Sequence, residues 1–105
     1  MINSIVKNVA DALSTHNITL TIDTVLDDEV FVTVEKEKLA YELFLTSDYA
    51  SLSETKFSLD IGYDADMIFE VENYELETLV NKISQFIDDE IESCRKENLM
   101  TAEDF

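Results

Sequence analysis

Proline and tryptophan are absent from this chain, which has a single glycine and a single cysteine. With no proline and only Gly62, its turns must rely on Asp, Asn and Ser, whose side chains form hydrogen bonds with nearby backbone groups. A lone cysteine excludes an internal disulfide framework and a cysteine-based zinc site. Cys94 continues an apolar helical stripe, so we expect it to be a small core residue of a cytoplasmic protein.

Basic residues are also scarce. Seven Lys and Arg stand against 24 Asp and Glu, which gives a formal net charge of −17. Such a surface repels nucleic acid and anionic lipid, and it attracts basic proteins. We therefore expect no direct binding to nucleic acid or membrane, and we expect a basic protein partner. The alternative is that the acidity only keeps a small protein soluble.

The chain has no apolar run near the roughly 20 residues that a transmembrane helix needs, so we expect a soluble protein. Its 105 residues, 46% of them hydrophobic, are enough for one core. The sequence predicts a single α+β domain over residues 1–100, followed by a short acidic tail over residues 101–105.

Apolar residues at steps of three and four predict a helix near each end of the chain. The first should extend from Ile2 to about Thr15, and His16 and Asn17 should form its exit. The second is the longest amphipathic pattern, over residues 74–97, with acidic residues covering its polar side.

Between the helices, apolar and polar residues alternate with a period of two, which is typical of half-buried strands. The predicted strands cover residues 18–23, 30–35, 39–46, 57–63 and 67–72, and residues 47–55 are predicted to be the longest loop. Short links favour an antiparallel meander, so the expected fold is α+β with a five-stranded antiparallel sheet in the order α-β-β-β-β-β-α.

If both helices cover one face of this sheet, the other face is open and its residues matter for function. Alternation places carboxylates and hydroxyls there around three apolar side chains, namely Phe31, Phe44 and Ile68. Such an exposed cluster would mark a binding or dimer surface. The alternative is that one helix crosses to this face and buries the three side chains.

No motif for catalysis is visible: the sequence lacks a glycine-rich phosphate loop, a nucleophile elbow and a Ser–His or Cys–His arrangement. The best metal candidate combines Asp60, Asp64, Asp66 and Glu70, but the glycine and glutamate positions of a calcium loop do not fit it. We expect a non-enzyme without catalytic, cofactor or metal residues.

In size, acidity, scarcity of Gly and Pro, and helix–sheet–helix order, the chain resembles the small phage-encoded inhibitors grouped as anti-CRISPR and DNA-mimic proteins. The resemblance implies a monomer or homodimer that blocks a nuclease or CRISPR effector by occupying its basic surface. The residues expected to bind the partner are the acidic Asp60, Glu70, Glu72, Asp88, Asp89 and Glu92 and the aromatic Phe31 and Phe44.

Two other classes remain open at this point. An immunity protein that neutralises a toxin nuclease would follow the same charge logic. A dimeric secretion chaperone is also similar in being a small acidic α/β protein, but such chaperones generally insert another helix among the strands, and only residues 47–55 are available for one. A chaperone would bind an effector through Phe31, Phe44 or Ile68 and would tolerate salt.

Overall fold

The computed structural model describes residues 2–54, 57–58, 62–63 and 67–96. Its elements are, in chain order, α1 (Ile2–Ser14), β1 (Thr19–Val25), β2 (Val30–Lys36), β3 (Leu39–Leu45), β4 (Tyr49–Glu54), β5 (Phe57–Ser58), β6 (Gly62–Tyr63), β7 (Met67–Glu72) and α2 (Leu76–Lys96). The predicted tail over residues 101–105 lies outside the described part of the chain.

Five of the strands form one antiparallel sheet in the order β1-β2-β3-β4-β7. Each strand lies beside the next one of the sheet in the chain, so the sheet is a meander with a helix before it and a helix after it. The predicted α+β class and layout are confirmed. β5 and β6, which lie between β4 and β7 in the chain, pair antiparallel with each other in a separate two-stranded sheet.

The fourth strand of the sheet is not the predicted one. The segment predicted to be a loop contains β4, which pairs with β3 on one side and β7 on the other. Residues 57–63, predicted as one strand, instead contribute the two short strands β5 and β6. The serines of β4 gave it a loop-like composition, whereas its alternation of buried Ala50 and Leu52 with Ser51 and Ser53 is that of a strand.

Helix α1 ends where the sequence predicted, at a left-handed residue. Asn17 has φ 63°, and its N–H donates to the carbonyl of Ser14 while the N–H of Ile18 donates to that of Leu13. These two bonds form a Schellman motif, which satisfies carbonyls at the helix end. Leu13 and Ile18 are both buried. The motif therefore directs the chain towards β1 with the side chain of Ile18 in the core.

Both helices cover the same face of the sheet and contact each other there. The core therefore lies in one layer between helices and sheet. It contains Ile2, Val6, Val9 and Leu13 of α1, Leu79, Val80, Ile83, Ile87 and Ile91 of α2, and Val30, Val32, Val34, Leu43, Leu45, Ala50 and Leu52 of the central strands. The alternative in which one helix crosses to the other face is thereby excluded.

The middle of α2 packs through an aromatic pair. The rings of Phe86 and Tyr41 meet edge to face with their centroids 5.2 Å apart, a favourable geometry for two aromatic side chains. Cys94 is half-buried near Tyr41 rather than fully buried, so its predicted core position is met only in part. None of the described helices is long and apolar enough to cross a bilayer.

Replacing Ile83 with Ala should lower the free energy of unfolding by about 2–5 kcal/mol, because its fully buried side chain would leave a cavity between α2 and the sheet. Urea unfolding followed by circular dichroism measures this. Ser93→Ala, at an exposed position of the same helix, is the control and should change stability by less than about 0.5 kcal/mol. Equal effects of the two variants would contradict the packing described here.

Tyr41 should make stability depend on pH in the alkaline range. Burial, with Glu90, Cys94 and Glu54 nearby, raises the pKa of this phenol from 10.0 to about 12. Between those two values the unfolded chain releases the proton while the folded chain keeps it, so stability is lost as pH rises from 10.0 towards about 12. In urea unfolding at a series of alkaline pH values, Tyr41→Phe should show a shallower loss than the parent chain. The same slope in both would contradict this assignment.

Candidate functional site

The face of the sheet that carries no helix is the candidate site, and strand alternation determines which side chains it presents. Val30, Val32 and Val34 point into the core, so the residues between them point the other way. The pairing registers extend this assignment across the sheet. We call the resulting surface the open sheet face; it comprises Thr19, Thr21, Asp23, Thr24, Phe31, Thr33, Glu35, Ala40, Glu42, Phe44, Tyr49, Ser51, Ser53, Met67, Glu70 and Glu72.

Three aromatic rings form the centre of the open sheet face. Phe31 and Phe44 lie directly opposite each other on β2 and β3, with ring centroids 4.9 Å apart. The ring of Tyr49, on β4, lies 6.0 Å from that of Phe44 in an edge-to-face arrangement. All three side chains are half-buried, although no described helix covers them. The rings therefore shield one another while their outer surfaces stay available to a partner.

A hydrogen bond connects this aromatic cluster to an acidic edge. The Tyr49 hydroxyl donates to Oε2 of Glu70 on the neighbouring strand β7, at 2.5 Å. This bond to the carboxylate raises the pKa of Tyr49 above its ordinary value, because losing the proton would place two negative charges side by side. The bond fixes both the ring of Tyr49 and the carboxylate of Glu70. Glu72 lies beside them, directly opposite Tyr49 in the pairing register.

The open sheet face is concave around its aromatic centre. A shallow depression of about 420 Å³ is lined by the three rings, by Ser51 and Ser53, and by the carboxylates of Glu29 and Glu42. Small serines on β4 make this concavity possible, because larger residues there would fill the space between β3 and β7. A side chain of a partner can enter it and meet both aromatic and anionic groups.

The open sheet face has one sign of charge. It carries the carboxylates of Asp23, Glu35, Glu42, Glu70 and Glu72, and none of its residues is basic. The described basic residues lie elsewhere, with Lys7 on α1, Lys36 and Lys38 at the hairpin between β2 and β3, and Lys82, Arg95 and Lys96 on α2. Within the described part of the chain, nothing on this face neutralises its carboxylates.

Ile68 does not join Phe31 and Phe44, contrary to the sequence-based expectation. It packs against the hydrophobic core instead. The cause is a register shift between β4 and β7 at Leu52 and Ser53, where the strict alternation of side chains breaks. The third ring of the cluster is Tyr49, which the sequence analysis had placed in a loop.

The helical candidates lie on a different surface. Asp88, Asp89 and Glu92 are exposed on α2, and each contacts a neighbouring side chain. Asp88 pairs with Lys36 at 2.7 Å, Asp89 accepts a hydrogen bond from Gln85 at 3.0 Å, and Glu92 pairs with Lys96 at 3.4 Å. This side of the molecule also carries Arg95, 3.6 Å from Glu37. Its charge is therefore mixed rather than purely acidic.

The eight residues predicted to bind a partner thus do not form one surface. Phe31, Phe44, Glu70 and Glu72 lie together on the open sheet face. Asp88, Asp89 and Glu92 lie on the opposite side of the molecule, beyond the core. Asp60, with the metal candidates Asp64 and Asp66, lies outside the described residues. Among the side chains that are described, no three potential metal ligands come together.

Two residues of the site were missed from sequence, Tyr49 and Glu42. Tyr49 belongs to a segment predicted as a loop, although its alternation with Ser51 and Ser53 was a detectable strand signal. Glu42 belongs to the strand predicted over residues 39–46, but it was not among the residues expected to bind a partner. Comparison of the chain with protein-family models, curated proteins and solved structures found no match.

The ion pair between Lys36 and Asp88 should contribute to stability modestly and in a salt-dependent way. The two side chains are 18% and 52% exposed, so solvent screens much of their attraction. A double-mutant cycle with Lys36→Gln and Asp88→Asn, read by urea unfolding, should give a coupling of about 0.2–1 kcal/mol at low salt. The coupling should shrink at high salt. A value that salt leaves unchanged would contradict this account.

Proposed function

We propose that this chain is a non-enzymatic binding protein that inhibits a basic nucleic-acid-binding protein or nuclease by occupying its nucleic-acid surface. The observation that carries the proposal is the open sheet face, where carboxylates surround a concave aromatic cluster and the described basic residues lie elsewhere. A CRISPR effector or another nuclease of bacterial defence is the expected target, in the cytoplasm, with the inhibitor acting as a monomer or homodimer.

The chemistry of this face matches that of the ligand it would replace. Proteins that bind nucleic acid use Lys and Arg for phosphates and use aromatic or guanidinium planes for bases. Carboxylates can accept the hydrogen bonds that phosphates accept, and the rings of Phe31, Phe44 and Tyr49 offer flat surfaces for stacking and for cation–π contact with arginine. The net charge of −17 would speed encounter with a basic partner at low salt.

An immunity protein for a toxin nuclease would use the same face in the same way. It differs from the leading proposal only in its target, which would be a toxin nuclease. The secretion chaperone is the weaker alternative. From β1 to β4 the described chain consists of strands and the short connections between them, so the extra helix that such chaperones generally insert has no counterpart there. Ile68, one of the side chains expected to hold an effector, packs against the core.

The experiment is an affinity capture from a bacterial lysate that contains candidate defence complexes, with washes at low and high salt. Recovery of a nuclease or guide-RNA effector that high salt or added DNA releases would support the proposal, and a cleavage assay on that purified nuclease would then test inhibition. Recovery of a secreted effector that stays bound at high salt would favour the chaperone and contradict the proposal.

Charge reversal on the open sheet face should weaken binding to the captured nuclease. Glu42→Lys combined with Glu72→Lys should lower the affinity at least about tenfold, because it places positive charge against a basic surface. Glu70 is left unchanged because it holds Tyr49. The affinity is measured by titration at low salt, after circular dichroism has shown that the variant is folded.

The matched control is Asp89→Lys combined with Glu92→Lys, which changes the net charge equally on the opposite side of the molecule. Asp88 is left unchanged so that its ion pair with Lys36 on β2 stays intact. The control should bind nearly as tightly as the parent chain. If it loses as much affinity as the first variant, the open sheet face is not the binding surface.

A further inference from the structure

Strand β1 is an edge of the sheet. It pairs with β2 on one side, and no described strand pairs with the other. A free edge presents unpaired N–H and C=O groups, and proteins commonly guard such edges with proline, lysine or very short strands. β1 is seven residues long, contains neither proline nor lysine, and is exposed at every position except the half-buried Leu20. Its backbone is therefore available to another extended chain.

The helix side of this edge is apolar and only partly covered. Ile22 is 53% exposed and Val25 is 50% exposed, although both oppose buried valines of β2, and Leu26 in the following turn is 51% exposed. Between β1 and α1 runs a groove of about 530 Å³ that Val6, Ala10 and Ile22 help to line. Apolar side chains of an added strand would bury this surface.

The opposite side of the same edge is acidic. A bulge in β1 leaves Asp23 unpaired in the register, and the side chain of Thr33 donates to one of its carboxylate oxygens at 2.7 Å. In the turn that follows the strand, Asp27, Asp28 and Glu29 add three exposed carboxylates. Of these, Glu29 lines the aromatic depression of the open sheet face, and Asp28 lies near Ile2 of α1. Lys7 of α1 is the described cation near β1, and it lines the apolar groove on the other side.

We propose that β1 is a docking edge for an extended segment of a partner protein in which apolar residues alternate with Lys or Arg. The segment adds to the sheet beside β1, so that its backbone pairs with the free edge. Side chains of a strand alternate between the two faces. The apolar residues therefore lie over Ile22, Val25 and the groove, and the basic residues lie beside Asp23 and the acidic turn.

The charge near β1 favours a basic segment of a partner protein over a second copy of the chain. Two copies joined through β1 would bring two sets of the same carboxylates together, on molecules that each carry −17. A basic strand removes that repulsion and replaces it with attraction. The inference does not depend on the proposed function, because the docking edge is tested at Ile22, on the helix side of β1, whereas the proposed function is tested at Glu42 and Glu72 of the open sheet face.

The probe is a fluorescent peptide as long as β1, seven residues, in which valine and lysine alternate. Its binding is followed by fluorescence anisotropy at low salt. A peptide of the same composition with valines and lysines grouped in blocks is the first control, and it should bind at least about tenfold more weakly because it cannot place apolar and basic residues on opposite faces. Equal binding of the two peptides would mean attraction by charge alone and would overturn the proposal.

Backbone pairing is tested with two N-methylated versions of the alternating peptide, one methylated at its valines and the other at its lysines. The amides of alternate residues in a strand point to the same edge, so only one of the two versions loses the hydrogen bonds to β1. That version should lose binding while the other retains it. Full binding by both would exclude strand addition.

The matched pair of protein variants is Ile22→Lys and Met67→Lys. Both replace an exposed apolar residue and change the net charge equally, but Met67 lies on β7, at the opposite edge of the sheet. Ile22→Lys should weaken binding of the alternating peptide at least about tenfold, and Met67→Lys should leave it nearly unchanged. No difference between them would overturn the proposal. Analytical ultracentrifugation tests for a second copy at this edge. If the parent chain sediments as a dimer and Ile22→Lys as a monomer, the edge binds a second copy and the proposal is wrong.

Discussion

The packing of both helices against one face of the sheet is the constraint on which the rest of the molecule depends. The valines of β2 and the leucines of β3 and β4 are buried because α1 and α2 pack side by side over them. Since both helices are used on that face, none of the described helices remains for the other. The open sheet face therefore keeps its aromatic and acidic side chains accessible because both helices pack on the other face of the sheet.

The sheet separates two kinds of acidic surface. On the helix side, Asp88 and Glu92 of α2 pair with Lys36 and Lys96, and Glu37 pairs with Arg95, at distances of 2.7 to 3.6 Å. On the other side, carboxylates lie among aromatic rings and hydroxyls. Exposed ion pairs contribute little to stability and are weakened by salt. An acidic composition alone therefore does not distinguish the two surfaces; the position of the few described basic residues does.

Periodicity was sufficient for the two helices and for β2 and β3, because their apolar residues are large and regularly spaced. It failed at β4, where Ala50 and Leu52 are the only inward residues and serines resemble a loop; the neighbours β3 and β7 determine that strand. It also failed at Ile68, because a bulge depends on the register between two strands rather than on either sequence alone. Phe31 and Phe44 were predictable as a pair, whereas Tyr49 depended on recognising β4.

The contact between α1 and α2 joins the first and last described elements of the chain. During synthesis the strands leave the ribosome before α2 does, so their inner faces have only α1 to cover them until residues 79–91 have been made. The core is completed by α2, the last described element of the chain. Final folding of this protein is accordingly tied to the end of translation of that helix, and a nascent chain stopped after β7 keeps an apolar sheet face in contact with water.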